Sequence, residues 1–337
     1  MKQNVPISTL TTMRLGGEAR FVQEINKVED IDTAYQFAKS NGLPVFILGG
    51  GANTIGLDEG YGGVILLVRL RGVEVIEERP ESVVVKAYAG EVLDDVVKIT
   101  TLRGYSGIEA LSMIPGTVGA APVQNVGAYG QQISDVVAEV EVYDSQTRKI
   151  RILSKKQCKF AYRESIFNTG SEVGRYFIVA VSLRLAKGAT LHPPFYVSLQ
   201  KYVDEHQVAD FSPENIRQMV ATIRAEKLPD PKIIASSGSF FKNVELSDEE
   251  AAVAREKGVQ VWRENGKNVV NSGWLVEQAG LKGKEFYGMK VSDKAALILI
   301  NESAKSYADL SLARAKIADI VWKKFGFVLE QEPVEIR

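Results

Sequence analysis

Cysteine and histidine are almost missing from this 337-residue chain: Cys158 stands alone, and His192 and His206 are the only histidines. A single thiol closes no internal disulfide, which fits a reducing compartment, and so small a Cys and His set makes no structural zinc site. No carboxylate spacing suited to a hard cation stands out, so no metal is expected. An excess of one charge is also lacking, because 41 Lys plus Arg face 42 Asp plus Glu, for a formal net charge of -1. With no broad basic field, neither nucleic acid nor a membrane surface is an expected partner, and local basic clusters must hold any anionic ligand. Apolar runs are short: Ala295 to Ile300 is about six residues, against the ~20 that span a bilayer as a helix. Residues Met1 to Leu10 carry Lys2, Gln3, Asn4 and Pro6 in place of a signal peptide's apolar centre, so a cytoplasmic protein is expected.

What is present is ordinary globular composition, 45% hydrophobic and 25% charged, with length for two or three domains. Ile31, Ala34, Tyr35 and Ala38 recur at helical spacing and Gly42 closes the pattern, after which Pro44 to Leu48 reads as a buried strand. Strands are also expected at Val64 to Leu70, Val83 to Ala87, Val136 to Tyr143 and Tyr176 to Leu185, with a helix from Glu91 to Arg103. Beyond Leu185, Ala186-Lys187-Gly188-Ala189 and His192-Pro193-Pro194, with Tyr196 and Tyr202 downstream, read as a long irregular loop. Ser212-Pro213 opens a helix whose apolar stripe is Ile216, Met219, Val220 and Ile223. Ser247 to Glu250 is a capping-box signature, and Ser306 starts a longer helix stopped by Gly326. The class is α+β, without repeats or heptads.

Gly49-Gly50-Gly51-Ala52-Asn53-Thr54 follows the Pro44 to Leu48 strand. It fails the dinucleotide GxGxxG pattern because Thr54 stands at the third glycine, and it lacks the Walker Gly-Lys-Ser/Thr. Gly56, Gly60, Gly62 and Gly63 then disfavour a following helix. What remains is a turn whose successive N–H groups can cradle an anion such as a pyrophosphate. A second stretch of small residues, Pro115-Gly116-Thr117-Val118-Gly119-Ala120-Ala121-Pro122, runs on into Gln124 to Gly130 and would let backbone approach a large flat ligand. Either segment alone serves packing as readily as binding; together they favour a dinucleotide cofactor.

Gly238-Ser239-Phe240-Phe241-Lys242-Asn243 sets one hydroxyl among apolar residues. If the segment is a strand, Ser239 and Phe241 share one face, and Phe240 and Lys242 the other. Alone, such a serine is usually structural.

Taken in order, these motifs resemble the UDP-N-acetylenolpyruvoylglucosamine reductase family nearly end to end. The likeness covers Thr12 to Gly17, Gly49 to Asn53, Ile114 to Gly119, Gln124 to Gly130, Tyr162-Arg163-Glu164-Ser165-Ile166-Phe167, Lys227 to Pro231, Gly238 to Asn243 and Gly273-Trp274-Leu275. It implies a two-part FAD-binding module of the vanillyl-alcohol-oxidase (PCMH) type with a smaller α+β substrate domain. The expected boundaries are 1–70 and 71–205 for the two FAD subdomains and 206–327 for the substrate domain, with the tail 328–337 returning to the active site. Non-covalent FAD would be held by Gly49, Gly50, Gly51, Ala52, Asn53, Thr54, Pro115, Gly116, Thr117, Gly119 and Ala120. NADPH is the implied co-substrate, a UDP-sugar carrying an enolpyruvyl group the substrate, and a monomer the implied state.

The resemblance assigns Ser239 as general acid, with Arg163 and a C-terminal glutamate stabilising the enolate intermediate. Tyr196, Lys227, Asn243 and Tyr129 are the implied substrate contacts, Tyr129 equally readable as a packing aromatic. An arginine suits the enolate because its guanidinium stays charged and grips a carboxylate through two parallel bonds. A glutamate would help best when protonated, since an ionised carboxylate repels an enolate. Two departures from the family pattern matter. Its Leu-Glu-Pro-Glu-Val reads here as Leu329-Glu330-Gln331-Glu332-Pro333-Val334, so ungapped matching selects Glu332 while Glu330 and Glu335 stay open. Ala295 stands where some members carry a polar substrate contact.

Overall fold

The computed structural model describes residues 1–193, 195–264 and 266–337, and the chain divides into two compact units. The first comprises residues 1–5, 19–50 and 62–226; the second comprises 6–18, 51–61 and 227–337.

In the first unit a four-stranded sheet runs in the order Lys2–Pro6, Glu18–Ile25, Tyr61–Val68 and Val45–Leu48, the last pair parallel. Helix Glu29–Ser40 buries Ile31, Ala34 and Ala38 of the expected stripe, with Tyr35 half-buried, and carries Glu29, Asp30 and Asp32 in its first turn, where the helix dipole favours acids. A larger antiparallel sheet is built around Tyr176–Lys187, flanked by Val137–Asp144 and Ser82–Tyr88. The central strand is apolar almost throughout because both its faces are covered; Phe177, Val179, Val181, Leu183 and Leu185 are fully buried. Strand Lys149–Ser154 closes a hairpin with Val137–Asp144, and buried Asp144 pins it through Arg175 and Arg151.

One expectation fails here. The stretch holding Tyr202, read as irregular loop, contains helix Val197–His206, because Leu199 and Val203 fall on one face and pack on Ile216, Val220 and Ile223 of helix Pro213–Lys227. Pro194, part of that expected loop, lies outside the described residues.

In the second unit, strands Ser236–Ser239, Ile298–Asn301, Met289–Val291 and Glu285–Phe286 form a sheet in that order. Helix Tyr307–Phe325 covers it with Leu310, Ala313, Ile317 and Val321. The sequence signals for its ends hold: Ser306 accepts from Asp309 N, and Gly326 takes the left-handed conformation at φ 78°. The capping box read at Ser247 and Glu250 is also present. The tail strand Val334–Ile336 pairs in parallel with Thr54–Gly56, so the glycine turn leads into a strand and no helix follows it, as its glycines imply. Among the described residues no helix is long and apolar enough to cross a membrane.

Candidate functional site

In the first unit, the two small-residue segments that the sequence keeps apart lie against each other. A Cβ on Gly49 would sit 2.6 Å from Thr117 Oγ1, and one on Gly50 would sit 3.1 Å from Gly116 Cα. Backbone bonds anchor the second segment on residues 89–93: Leu93 N donates to Gly116 O at 3.1 Å, Val118 N to Glu91 O at 2.8 Å, and Gly119 N to Ala89 O at 2.9 Å. Thr117 Oγ1 is buried with no hydrogen-bond partner among the described residues. A close backbone approach that any side chain at Gly49 would disrupt, beside an unsatisfied hydroxyl, fits a segment that receives the diphosphate or ring edge of an FAD. Gly49, Gly50, Pro115, Gly116, Thr117, Gly119 and Ala120 are thus brought together. Gly51, Ala52, Asn53 and Thr54 fall in the second unit, where Gly51 O accepts from Thr12 N and Asn53 O from Val334 N.

Arg163 occupies a tight turn in which Ala161 and Glu164 exchange backbone hydrogen bonds at 3.0 and 3.3 Å. Its φ is 55°, an unusual conformation for a residue with a side chain, and its guanidinium lies 5.1 Å from the centre of the Tyr162 ring. Buried polar groups hold the turn there. Asn125 Nδ2 donates to Ala161 O and to Gln132 Oε1, both at 3.0 Å, while Asn125 Oδ1 accepts from Ser134 N at 3.1 Å. Ser165 Oγ donates to Val123 O at 2.6 Å, and Asn168 Nδ2 to Arg163 O at 3.0 Å. The Gln124 to Gly130 and Tyr162 to Phe167 motifs are therefore one bonded assembly.

Tyr129 meets Tyr196 edge to face at 5.8 Å, so two predicted substrate contacts are neighbours. Sequence reasoning missed their third partner, Arg224, on helix Pro213–Lys227. It lies near enough to the Tyr129 phenol for the two to influence each other's charge, and its Nε is sealed from solvent with no partner among the described residues. Burial pushes this guanidinium down from the usual arginine range, against the pull of Tyr129 and Asp94. Burial likewise pushes the Tyr129 phenol up, with Arg224 opposing. Asp94 receives Arg217 at 2.5 and 3.0 Å and Met113 N at 2.7 Å, tying the same helix to the loop that leads into Pro115. Spacing alone gave no sign of Arg224; a lone arginine on an amphipathic helix reads as solvated.

In the second unit, Ser239 pairs with Ile298 and ends its strand. Strand parity does not carry on through Lys242 as the sequence suggested. Gly238 sits at φ +74° and the register shifts between Ser236 and Ser239, so alternation is lost. Phe240 and Phe241 are consequently both buried, edge to face at 5.1 Å. Asn243 Oδ1 accepts from Ser272 N at 3.2 Å, at the start of helix Ser272–Gln278. Lys227, at the end of its own helix, is exposed. Ala295 takes part through its backbone, its carbonyl accepting from Ile298 N at 3.0 Å.

The three C-terminal glutamates separate by their surroundings. Glu330 lies 3.5 Å from Lys242 with its side chain 71% exposed. Glu335 is 7% exposed and takes hydrogen bonds from Tyr307, Arg314 and Arg337. Burial alone would push the Glu335 carboxyl up, but those donors outweigh it and hold it below the usual glutamate range, so this group is kept ionised. Glu332 N donates to Phe240 O at 2.9 Å, and Gln331 bridges Phe241. That bridge sets Glu332 opposite the residue that follows Ser239.

Two known families match the chain: an FAD binding domain over residues 19–152 and the C-terminal domain of UDP-N-acetylenolpyruvoylglucosamine reductase over residues 230–336. The UDP-N-acetylenolpyruvoylglucosamine reductase of Bdellovibrio bacteriovorus is 37% identical over 330 residues, 97% of each chain. That of Pseudomonas fluorescens is 34% identical over 338 residues, 99% of this chain and 98% of the other. In fold, the chain matches the crystal structure of UDP-N-acetylenolpyruvylglucosamine reductase from Thermus caldophilus with a TM-score of 0.68 at 21% identity, covering 99% of this chain and 98% of that one. Motif order, cofactor cradle and near-complete coverage agree, and the chain belongs to the UDP-N-acetylenolpyruvoylglucosamine reductase family.

Proposed function

We propose that the chain is an FAD-dependent UDP-N-acetylmuramate dehydrogenase that uses NADPH to reduce the enolpyruvyl group of its UDP-sugar substrate, a step of peptidoglycan precursor synthesis. It acts as a monomer on soluble nucleotides in the cytoplasm. FAD, when bound, would supply the hydride chemistry that links NADPH to the vinyl carbon of the substrate. The Gly49–Gly50 and Pro115–Ala120 backbones would hold the cofactor, with Gly51, Ala52, Asn53 and Thr54 as the further candidates.

The protein's own side chains manage the charge that follows. Hydride at the far vinyl carbon leaves an enolate conjugated to a carboxylate, and fixed donors must meet it there. Arg163 is such a donor, preset by a turn that buried Asn125 and Ser165 hold rigid. Glu332 offers its carboxyl to the same intermediate. Ser239 passes its hydroxyl proton to the adjacent carbon, which completes the lactyl ether. Tyr196, Lys227 and Asn243 bind the diphosphate and nucleotide, and Tyr129 with Arg224 supports the substrate side of the first unit. The observation that supports the assignment of acid and glutamate is the bond from Glu332 N to Phe240 O, the residue that follows Ser239.

The test separates the half-reactions of the FAD-loaded protein. In Ser239→Ala, NADPH is expected to bleach the flavin at the native rate, while reoxidation by the enolpyruvyl substrate slows at least about 10²-fold, the lower range for losing general-acid catalysis. Native reoxidation in that variant would remove Ser239 from its role.

A further inference from the structure

The segment that carries Glu332 is held by a clamp whose members lie on either side of it. Gln331 Nε2 donates to Pro333 O at 2.8 Å, closing a small ring over Glu332. Gln331 Oε1 accepts from Arg314 Nη1 at 2.6 Å, and the same nitrogen lies 3.1 Å from Glu335 Oε1. Arg314 is itself fixed on helix Tyr307–Phe325, with Nη2 on Ser311 Oγ at 3.2 Å and its guanidinium 5.9 Å from the Tyr307 ring centre. The buried carboxylate of Glu335 gathers Arg314, Arg337 and Tyr307 around the far end of the segment. Backbone bonds complete the frame: Lys242 N to Glu330 O, Glu332 N to Phe240 O and Val334 N to Asn53 O, each at 2.9 Å.

We propose that Gln331, gripped by Arg314 and closed on Pro333, is a positioning residue that holds Glu332 beside the Ser239 segment. The inference rests on the role given to Glu332 above. It also explains why this chain tolerates Leu329-Glu330-Gln331-Glu332-Pro333-Val334 where the family pattern has a proline before the glutamate. The bridge between Phe241 and Gln331 is made through the flanking residues 330 and 332, so the N–H at 331 takes no part in it. A proline there would restrict the backbone at no loss to that bridge; here the glutamine side chain supplies the restriction instead.

The experiment compares Gln331→Ala, Arg314→Ala, Gln331→Pro and Glu332→Gln in the full-length, FAD-loaded protein. Gln331→Ala and Arg314→Ala are expected to keep their flavin content and to be reduced by NADPH within about twofold of the native rate. Their maximal rate of reoxidation by the enolpyruvyl substrate should fall about tenfold or more with little change in KM, as expected when a reacting group is misplaced by about 1 Å. Hydrogen exchange at the amides of Glu332 and Val334 should speed up about tenfold, and Gln331→Pro should restore both exchange and reoxidation to within about threefold. If Glu332→Gln slows reoxidation but Gln331→Ala does not, the clamp is overturned while the role of Glu332 stands. Equal losses in both half-reactions, or no rescue by proline, would make Gln331 a general structural residue and overturn the positioning role. If Glu332→Gln leaves reoxidation native, the reading of Glu332 falls, and unchanged amide exchange in Gln331→Ala would then overturn the clamp separately.

Discussion

The two units hold their candidate catalytic residues by different means. In the first, the Arg163 turn is fixed by side chains reaching for backbone: Asn125 onto Ala161, Ser165 onto Val123, Asn168 onto Arg163 itself. In the second, Ser239 and Glu332 are placed by backbone bonding to Ile298, Leu297 and Phe240, with polar side chains acting one step away. The difference follows from conformation. A residue at φ 55° cannot join a regular ladder, so beyond the Ala161–Glu164 pair the carbonyls of this turn take their bonds from side chains. A segment that ends a strand inherits most of its partners from the sheet. Outside the Gln331 clamp, the first unit should therefore be the more sensitive to loss of single buried polar groups.

Asp144 gives the largest expected effect. Its side chain is fully buried and receives Arg175 through Nε at 2.9 Å and Nη2 at 2.6 Å, with Arg151 at 3.1 Å. The Arg175 guanidinium holds this carboxyl well below the usual carboxylate range, against the effect of burial. A lowered folded pKa adds stability that is present above the unfolded value, about 3.8, and is lost as pH falls through the folded value. Asp144→Asn should lower Tm at pH 7 by roughly 5 °C, because the arginines lose their counter-charge. The gap from the native protein should be widest above about pH 4 and narrow as the pH drops below it. Thermal melts at pH 7 and pH 3 check this, and a gap that widens in acid would contradict it.

Asn125→Ala comes next. Three hydrogen bonds near 3.0 Å disappear, and with net worth of about 1 kcal/mol each the loss is roughly 2 to 3 kcal/mol. Because the Ala161 carbonyl is released, the Arg163 turn should loosen, and reoxidation by the enolpyruvyl substrate should fall about tenfold beyond any loss of folded protein. Denaturant unfolding gives the stability, and single-turnover kinetics on the folded fraction gives the rest. A purely thermodynamic defect would mean that Asn125 supports the fold without setting Arg163.

Much of the scaffold was readable in the chain. Helices Glu29–Ser40 and Tyr307–Phe325 announce themselves by apolar residues at helical spacing, and the Ser247 cap by its glutamate three residues on. The small-residue segments at Gly49–Gly50 and Pro115–Thr117 were readable only as a pair, since either one alone serves packing as readily as the approach of a ligand. What stayed hidden depends on tertiary partners. Helix Val197–His206 has only Leu199 and Val203 as buried anchors, too weak a periodicity beside prolines to outweigh a loop reading. Gly238 could not be known to take a positive φ, so parity was carried too far past Ser239. Three nearby glutamates look alike in sequence; only Lys242, and the Tyr307, Arg314 and Arg337 cluster, tell Glu330 and Glu335 from Glu332.

The smallest effect belongs to the second unit and probes the other side of the comparison. Ser272 Oγ donates to Phe241 O at 2.9 Å, and Ser272 N reaches Asn243 Oδ1 at 3.2 Å. The first bond depends on the serine side chain and the second does not, so Ser272→Ala removes one neutral bond and leaves the Asn243 contact. The cost should be about 1 kcal/mol, with the Phe241 carbonyl left one partner short. Ser239 and Glu332 are placed by bonds to Leu297 and Phe240 that the substitution does not touch. Reoxidation of the folded variant should therefore stay within about twofold of native, in contrast to Asn125→Ala. Denaturant melts and single-turnover rates measured side by side on the two variants decide the matter: comparable kinetic losses in both would erase the distinction between side-chain and backbone placement.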